Sequence, residues 1–294
     1  MKYLITGGTG LVGHNLIASL LADGHEVHNL GRGAAKSEGV KGLHFHQWNG
    51  KKVPDSVPVV DVVVNLAGAS IGQKWSADYK KLLVSSRVDA TKACAEYLRL
   101  HEKPGQVFIS ASGFNYYGDL LDTPVREDSP AGNSFMSSIC QQWEAATAGT
   151  QARTVTIRIA VVLDQHEGPL ARMLTPYRWG VGGPTGTGKQ GFPWIHIDDL
   201  ISVIRFVAEN ANIHGPVNAA SPTAIRQQDF SNALAKVLHR PNFFRLPQWL
   251  LNLIFGEMSV VLWGGAFVVP SVLQAAGFQW KFPSIEQALD DLLQ

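Results

Sequence analysis

Hydroxyl groups are concentrated in one short segment, residues 109–119, which reads ISASGFNYYGD. Ser112 and Tyr117 are its candidate catalytic residues, because a hydroxyl can donate a hydrogen bond to a substrate carbonyl and polarise it. An unassisted tyrosine has a pKa of about 10 and therefore gives up its proton poorly at neutral pH. The segment predicts a donor site for an oxygen-containing substrate and leaves open whether Tyr116 or Tyr117 faces it. The alternative is that both rings only pack against their surroundings.

The first glycine-rich turn has the spacing of a dinucleotide-binding loop. Gly7, Gly10 and Gly13 follow an apolar strand and precede a helical segment. The first glycine permits a tight turn, the second lets the backbone approach a pyrophosphate, and the third lets the helix pack closely on the strand. The helix N-terminus favours the charge of the phosphate. The turn therefore predicts dinucleotide binding, with an empty Rossmann-like turn as the alternative.

The end of the second strand indicates which dinucleotide is bound. NAD-preferring proteins usually carry an acidic residue there, which accepts hydrogen bonds from the ribose hydroxyls. This chain has Asn29, Leu30, Gly31 and Arg32 instead, and a guanidinium suits the 2′-phosphate of NADP through charge-assisted hydrogen bonds. We predict NADP(H) as the cofactor; the alternative is that Arg32 is a solvated loop cation.

Two further segments are expected to border the cofactor cleft. Leu66, Ala67 and Gly68 follow a buried strand and present backbone and small groups where the adenine and ribose would lie. Arg87, on the following helix, is expected either to face the same cleft or to lie on the surface.

The pattern of strands and helices predicts a sheet that positions these candidate site residues. Apolar strands alternate with amphipathic helical segments over the first two thirds of the chain, and the central strands are continuous runs of Val, Ile and Leu. This alternation is typical of βαβ units on a parallel sheet that is covered on both faces. The sequence predicts an α/β fold, a Rossmann-type doubly wound parallel sheet with a small, mostly helical C-terminal portion.

We predict two domains, an NAD(P)-binding Rossmann domain over residues 1–240 and a small C-terminal domain over residues 241–294. Loops within residues 164–200, rich in glycine and proline, are assigned to the substrate site, because long ordered loops often carry binding groups. Residues 247–270 are strongly apolar, but Glu257 and glycines interrupt them, so two short buried helices are expected rather than a transmembrane segment.

Charge and cysteine content narrow the class of partner. The 294 residues include 25 basic and 24 acidic side chains, a net charge of +1, with no long run of one sign. Nothing here indicates a nucleic acid or a membrane surface. The two cysteines, Cys94 and Cys140, predict no disulfide framework, and the N-terminus lacks the features of a signal peptide. We expect a cytoplasmic protein that acts on an unidentified small molecule, with its oligomeric state open.

The glycine loop, NLAGAS and SASGFNYYGD together resemble the extended and atypical short-chain dehydrogenase/reductases, the NAD(P)-dependent epimerase/dehydratase group. More narrowly, YYGD, WEAA, GPVNAASP and residues 180–200 resemble YfcH-type epimerase family proteins, which usually carry a small C-terminal domain of unknown function. The resemblance covers the whole chain. It implies a Rossmann fold, an NADP-type cofactor and a substrate site between the C-terminal edge of the sheet and the C-terminal portion. It supplies no substrate, because a fold does not determine function.

The predicted cofactor contacts follow from these motifs and from the resemblance together. They lie on the glycine loop, at the ends of the second and fourth strands, on the helix that carries Arg87, and near Val162. The full set is Gly7, Thr9, Gly10, Leu11, Val12, Gly31, Arg32, Leu66, Ala67, Gly68, Arg87, Ser110 and Val162.

The usual catalytic pair of the resembled family is missing. Short-chain dehydrogenases generally use Tyr-x-x-x-Lys, in which the lysine lowers the pKa of the phenol that exchanges a proton with the substrate. None of the 6 tyrosines is followed by a lysine at that spacing, and no lysine occurs between Lys103 and Lys189. The matching segment has Phe135, Met136 and Cys140 near the expected positions.

Two functions are consistent with these features. The first is an NADP-dependent oxidoreductase or epimerase-like enzyme, in which hydride passes at the nicotinamide C4 while the region of Ser112 and Tyr117 orients the substrate oxygen. The second is a non-catalytic NADP(H)-binding redox sensor or regulatory protein, which the missing Tyr-x-x-x-Lys pair supports.

Histidines and one loop lysine complete the candidates. His196 could serve as a proton donor, but the favoured interpretation is that its segment, WIHIDDL, ties the C-terminal portion to the nucleotide-binding domain. His44 and His46 share a strand face, yet no third ligand lies near them in sequence, so we predict no metal site. Lys189 is either a contact for an anionic substrate or a solvated cation.

Overall fold

The computed structural model describes residues 1–33, 40–119 and 122–294. The strands are β1 (Lys2–Thr6), β2 (Glu26–Gly31), β3 (Leu43–Gln47), β4 (Val62–Asn65), β5 (Val107–Gly113), β6 (Pro124–Val125), β7 (Arg153–Ile159), β8 (Val161–Leu163), β9 (Trp194–His196), β10 (Gly215–Ala219) and β11 (Phe267–Val268). The helices are α1 (Leu11–Ala22), α2 (Ala77–Leu100), α3 (Phe135–Ala145), α4 (Gly168–Arg178), α5 (Ile197–Glu209), α6 (Gln227–Val237), α7 (Gln248–Phe255), α8 (Val260–Trp263), α9 (Ser271–Ala275) and α10 (Ile285–Leu293).

A seven-stranded sheet, in which all pairings are parallel, forms the centre of the molecule. Its strand order is β10-β7-β5-β4-β1-β2-β3. The direction of winding reverses between β1 and β4, so the chain leaves the two neighbouring strands toward opposite sides. In open parallel sheets a ligand crevice lies at this reversal, outside the carboxyl ends of the strands.

Helices cover both faces of the sheet, as the sequence predicts. Tyr3 and Ile5 of β1 point into a core shared with α1 and α5, whereas Leu4 points into a second core formed with α2. This alternation follows from the period of two in a strand, and it makes each central strand apolar throughout because both faces are buried. The Rossmann-type doubly wound fold is confirmed.

The segment of residues 164–200 contains more regular structure than its glycine and proline content suggests. It includes the helix α4 and the strand β9, which pairs with β8 in a separate two-stranded sheet. Pro169 occupies the first turn of α4, where a proline costs no hydrogen bond because that N–H has no partner within the helix. The prolines and glycines of this segment therefore partly mark helix and strand boundaries rather than one long loop.

The C-terminal portion is held to the nucleotide-binding part by hydrogen bonds to the start of α5. The two carboxylate oxygens of Asp199 accept the backbone N–H groups of Lys281, at 2.8 Å, and Phe282, at 3.0 Å. Next to them, Asp198 accepts a hydrogen bond from the Lys281 ammonium at 2.9 Å. The favoured interpretation of the WIHIDDL segment is thus confirmed. The boundary at residue 240 stays a prediction.

The apolar residues 247–270 form two short helices, α7 and α8, but the expectation that both are buried is wrong. Trp249, Leu253 and Ile254 are 67%, 76% and 60% exposed, and Leu251 is the buried residue of α7. The apolar residues of this helix extend around several faces, so that packing one face on the protein leaves the others in solvent. Within the described ranges, no helix has both the length and the apolar character needed to cross a bilayer.

Replacing Asp199 should loosen the attachment of the C-terminal portion. In Asp199→Ala one buried and one partly buried backbone N–H group lose a charged acceptor, and we expect the free energy of unfolding to fall by about 2 to 4 kcal/mol. Urea unfolding measures this loss. Asp198→Ala is the matched control, because its ion pair with Lys281 is exposed and contributes little. Equal effects of the two variants would contradict a special role for Asp199.

Candidate functional site

The turn between β1 and α1 is shaped by two glycines that admit no side chain. Gly7 has a φ of +72°, and a Cβ added to it would lie 2.7 Å from the Leu66 carbonyl oxygen. A Cβ on Gly13 would lie 2.3 Å from the Gly7 carbonyl oxygen, so the helix rests directly on the turn. Gly10 differs, because its added Cβ would meet only the Gly7 oxygen, at 3.5 Å. The space beside Gly10 is therefore open to a ligand.

The N-terminus of α1 lies beside this open space and is not neutralised by the protein. No side chain caps the helix, and its first turn contains no acidic residue. Among the described residues, the backbone N–H groups of Leu11 and Val12 have no hydrogen-bond acceptor. Unpaired amides and the helix dipole together favour an anion at this position. The sequence-predicted phosphate site thus has the required geometry and charge.

A buried hydrogen-bond network fixes the strand ends behind the glycine turn. The Thr6 hydroxyl donates to Asn65 Oδ1 at 2.7 Å and accepts the backbone N–H groups of the two residues that follow Asn65, at 3.1 Å each. The Asn65 amide donates in turn to Thr91 and Ser110. Ser110, a predicted cofactor contact, is 0% exposed. Its hydroxyl joins β5 to β4 in this structure.

The predicted cofactor contacts differ in their exposure at this crevice. The strand β8, which carries Val162, lies close to the glycine turn. A Cβ added to Gly168 would lie 3.0 Å from the Leu11 side chain and 3.8 Å from the Val162 carbonyl oxygen. Three of the predicted contacts are buried: Arg87, Ser110 and Val162. The other ten are exposed or partly exposed, namely Gly7, Thr9, Gly10, Leu11, Val12, Gly31, Arg32, Leu66, Ala67 and Gly68.

Arg87 is a buried cation next to the strand end that carries Gly68. Its guanidinium donates to the carbonyl oxygens of Leu83, at 2.9 Å, and Ala69, at 3.0 Å, and lies 5.1 Å from the centre of the Trp143 ring. Burial lowers the pKa of this guanidinium. Within the part of the chain that the structure describes, no carboxylate is paired with it. Such a charge is suited to an anionic ligand at the neighbouring crevice.

Arg32 lies just beyond the end of β2 and is exposed, so its predicted contact with a 2′-phosphate stays a prediction. The preceding Gly31 packs on β3, where an added Cβ would lie 2.7 Å from the Phe45 ring. A larger residue at position 31 would push the strand end away from its neighbour. Gly31 therefore allows the end of β2 to stay close to β3, and this sets the backbone position of Arg32.

The two candidate catalytic residues belong to one buried polar network. The Ser112 hydroxyl donates to Glu144 Oε1 at 2.7 Å, and the Arg158 guanidinium donates to both Glu144 oxygens at 2.9 Å. Arg158 also donates to the Tyr117 hydroxyl at 2.9 Å, which itself donates to Asn218 Oδ1 at 2.7 Å. Burial disfavours the charged form of Arg158, but its bonds to Glu144 outweigh this effect and the pKa of Arg158 is raised.

The network occupies the Tyr117 hydroxyl as donor and as acceptor. Tyr117 is 1% exposed, and burial raises its pKa to about 12 despite the nearby Arg158. Tyr116 is the less buried of the two tyrosines, and the Arg158 guanidinium lies 3.5 Å from the centre of its ring. In this arrangement Tyr117 holds the network together, and its proton is not available to a ligand at neutral pH.

The same network reaches the C-terminal portion. Glu127 Oε1 accepts the backbone N–H groups of Asn218, at 3.1 Å, and Val272, at 3.2 Å, and the Asn218 amide donates to the Val269 carbonyl oxygen at 2.9 Å. Glu127, Glu144, Arg158 and Asn218 were not identified from the sequence. One signal was available, because Arg158 interrupts the apolar strand β7, and a charge in a buried strand requires a partner.

A cleft of about 470 Å³ lies between the nucleotide-binding part and the C-terminal portion. The first part contributes apolar and aromatic side chains, and the segment from α7 to α8 closes the other side. The cleft borders the C-terminal portion, one of the two boundaries that the resemblance implies for a substrate site, but neither Ser112 nor Tyr117 lines it. Its principal lining residues are Trp75, Phe135, Met136, Val260 and Trp263.

Neither His196 nor Lys189 is among the described residues of the cofactor crevice or of the cleft. His196 is 1% exposed, its Nδ1 accepts the Asp198 N–H at 3.1 Å, and its ring packs 3.9 Å from the Phe282 ring centre. It therefore supports the junction with the C-terminal portion. Lys189 has an exposed side chain, and its carbonyl oxygen accepts a hydrogen bond from Arg226.

Comparison with known proteins gives consistent matches over the whole chain. The model of the NAD dependent epimerase/dehydratase family matches residues 3–220, and that of a domain of unknown function (DUF1731) matches residues 246–292. The chain is 35% identical over 300 residues to the epimerase family protein SDR39U1 of Mus musculus, with 100% of both chains covered. It is 34% identical over 299 residues to the epimerase family protein YfhF of Bacillus subtilis (strain 168), covering 100% of this chain and 98% of YfhF.

Among solved structures, the crystal structure of human epimerase family protein SDR39U1 (isoform 2) with NADPH has a TM-score of 0.91 to this chain. The two are 32% identical, and the match covers 99% of each chain.

Proposed function

We propose that this chain, which belongs to the NAD dependent epimerase/dehydratase family, is an NADP(H)-dependent oxidoreductase or epimerase-like enzyme that acts on a small carbonyl or sugar-like substrate. One observation carries the cofactor assignment: the unpaired amides of α1 lie beside the open face of Gly10 at the topological reversal of the sheet. The human relative crystallised with NADPH supports this assignment.

The residues of the crevice are suited to hold NADP(H) along its length. The amides of Leu11 and Val12 would bind the pyrophosphate, and Arg32 would bind the 2′-phosphate that distinguishes NADP from NAD. The residues of the β4 end would lie against the adenosine. Arg87, buried without a carboxylate partner within the described residues, supplies further positive charge at this edge. When bound, NADPH supplies the hydride.

Ser112 is the residue that we propose contacts the substrate oxygen. It donates its own proton to Glu144, so toward a substrate its oxygen would act as the acceptor of a hydrogen bond from a hydroxyl group. This orientation suits the binding of an alcohol. Donation to a carbonyl would require the bond to Glu144 to open. The Arg158 ion pair holds Glu144 in place for either arrangement.

The second candidate function is a non-catalytic NADP(H)-binding sensor or regulatory protein. In the helix that would carry Tyr-x-x-x-Lys, the matching region contains Met136 and Cys140, and burial raises the pKa of the Cys140 thiol to about 11. The pKa of Tyr117 is raised as well. Neither group is poised to transfer a proton at neutral pH, and this observation favours binding without turnover.

A charge placed at Gly10 should weaken cofactor binding without harming the fold. Aspartate and asparagine are equally good helix N-caps, and position 10 has an extended backbone, with φ −89°, that any residue can adopt. We expect Gly10→Asp to bind NADPH at least about tenfold more weakly than Gly10→Asn, since the carboxylate repels phosphate. Fluorescence titration measures binding, and thermal unfolding verifies that both variants are folded. Equal affinities would refute a phosphate site at this helix.

Removal of the Arg32 side chain should reduce the preference for NADPH over NADH. Loss of charge-assisted hydrogen bonds to the 2′-phosphate corresponds to about 1.5 to 3 kcal/mol, or about 10- to 100-fold in the dissociation constant of NADPH. Binding of NADH should stay within about twofold. Arg99→Ala is a control, because Arg99 forms an exposed ion pair within α2. An unchanged cofactor preference in Arg32→Ala would sink the assignment of Arg32.

Turnover distinguishes the enzyme from the sensor. NADPH oxidation by the purified protein is followed by absorbance against a panel of aldehydes and ketones. Epimerisation of nucleotide sugars returns the hydride and consumes no cofactor, so it is followed by chromatography of the sugar products in the presence of NADP⁺ or NADPH. If the chain is an enzyme, we expect Ser112→Ala to lower kcat by at least about tenfold, as loss of a polar contact in the transition state does. Tyr117→Phe should affect stability more than kcat, because its hydroxyl is buried. Tight NADPH binding with no turnover across the panel would support the sensor instead.

A further inference from the structure

We propose that Glu26, His28 and His44 form a binding site for a divalent transition-metal cation, of the kind that Zn²⁺ represents, at the edge of the central sheet. The site is independent of the cofactor crevice. Sequence reasoning predicted no metal site because His44 and His46 had no third ligand near them in sequence. The fold supplies the missing ligands from the neighbouring strand.

The parallel pairing of β2 and β3 brings these side chains together. His28 lies directly opposite His44 in the register of the two strands, and Glu26 precedes His28 by two residues on the same face. The two imidazole rings are stacked, with centres 4.8 Å apart and planes inclined by 16°. The arrangement is therefore set by backbone pairing and not by the chance approach of long side chains.

The donor atoms are close enough to share one cation. His28 Nε2 lies 2.9 Å from Glu26 Oε1, and His44 Nε2 lies 3.9 Å from the same oxygen. One ligand atom from each of the three residues lies within 4.8 Å of the other two. Tetrahedral Zn²⁺, with bonds of about 2.0 to 2.2 Å, places its ligands about 3.3 to 3.6 Å apart. Coordination requires the exposed His44 ring to tilt out of its stack on His28 and the partly exposed Glu26 side chain to rotate, so that the ligand atoms converge at these distances.

A second hydrogen-bond chain supports His28 from behind. His28 Nδ1 lies 3.0 Å from His46 Nε2, and His46 Nδ1 lies 3.1 Å from the Ser56 hydroxyl oxygen. A neutral imidazole has one donor and one acceptor nitrogen, and a hydroxyl can act in either role. When His28 Nε2 is protonated and donates to Glu26, this hydrogen-bond chain can therefore donate to His28 Nδ1. It can also accept from His28 when Nε2 is bare and binds a metal. Such outer hydrogen bonds orient histidine ligands in metal sites.

The surroundings leave room for the cation. Lys2 contacts the other Glu26 oxygen, Oε2, at 3.2 Å, so Oε1 is the oxygen available to a metal. His28 is 4% exposed, whereas the side chain of His44 is 52% exposed and provides access from solvent. Two imidazoles and one carboxylate match the preferences of Zn²⁺, Co²⁺ or Ni²⁺ rather than of Ca²⁺ or Mg²⁺, which prefer oxygen ligands. A fourth position stays open for water.

The test uses the full chain, freed of metal with a chelator and titrated with ZnCl₂ in competition with a fluorescent zinc indicator. We expect one Zn²⁺ per chain. His44→Ala should lower the affinity by at least about tenfold. His214→Ala is the matched control, since His214 is an exposed histidine outside the cluster. Zn²⁺ should also raise the Tm of the wild type by more than that of His44→Ala, because ligand binding stabilises the folded state.

Two results would overturn the site: no stoichiometric Zn²⁺ binding by the wild type, or equal affinities in His44→Ala and His214→Ala. Misfolding of His44→Ala cannot explain a loss, because this side chain is on the surface, and Glu26→Gln provides an independent second variant. Ser56→Ala tests the supporting chain and should weaken Zn²⁺ binding about tenfold. If the affinity of Ser56→Ala for Zn²⁺ is unchanged, the hydrogen bonds through His46 and Ser56 do not support the metal site.

Discussion

The ion pair between Arg158 and Glu144 is the interaction on which the arrangement at the sheet edge depends. A guanidinium in a strand that is covered by helices needs a carboxylate and further acceptors, because an unpaired buried charge is strongly unfavourable. Glu144 of α3 meets this need, with both oxygens at 2.9 Å. Once the pair is in place, Ser112 and Tyr117 have fixed partners, and Asn218 passes the connection to the C-terminal portion.

This dependence separates two parts of the site. The crevice for a dinucleotide is built mainly from glycines and main-chain amides, and the side chains of Arg32 and Arg87 lie beside it. The neighbouring network around Ser112 and Tyr117 is built from buried side chains that hydrogen-bond to one another. In most of the resembled family a lysine makes a tyrosine more acidic, whereas here burial raises the pKa of Tyr117 and of the Cys140 thiol. The structure thus retains the geometry of the cofactor crevice and lacks the tyrosine and lysine pair.

The features that were predictable from the sequence are those encoded locally. The glycine turn, the strand that precedes it and the helix that follows it lie within 22 residues, and the alternation of strands and helices needs no long-range information. The network around Arg158 joins residues up to 145 positions apart, and its partners could not be paired from spacing. The same limit hid the contribution of Glu26 and His28 to the histidine cluster. It also led to the wrong expectation for α7, because burial depends on which other elements cover a helix and not on its own apolar content.

The cleft between the two parts of the chain has an optical consequence. Of the 8 tryptophans, Trp75 lies on the nucleotide-binding side of this cleft, and Trp263 lies on the C-terminal side. Indole emission shifts with the polarity of its surroundings, so a molecule that fills the cleft and displaces water changes the fluorescence of both rings. The two indoles are therefore an intrinsic reporter of this cleft, and its occupancy can be followed without a label and without knowing the reaction.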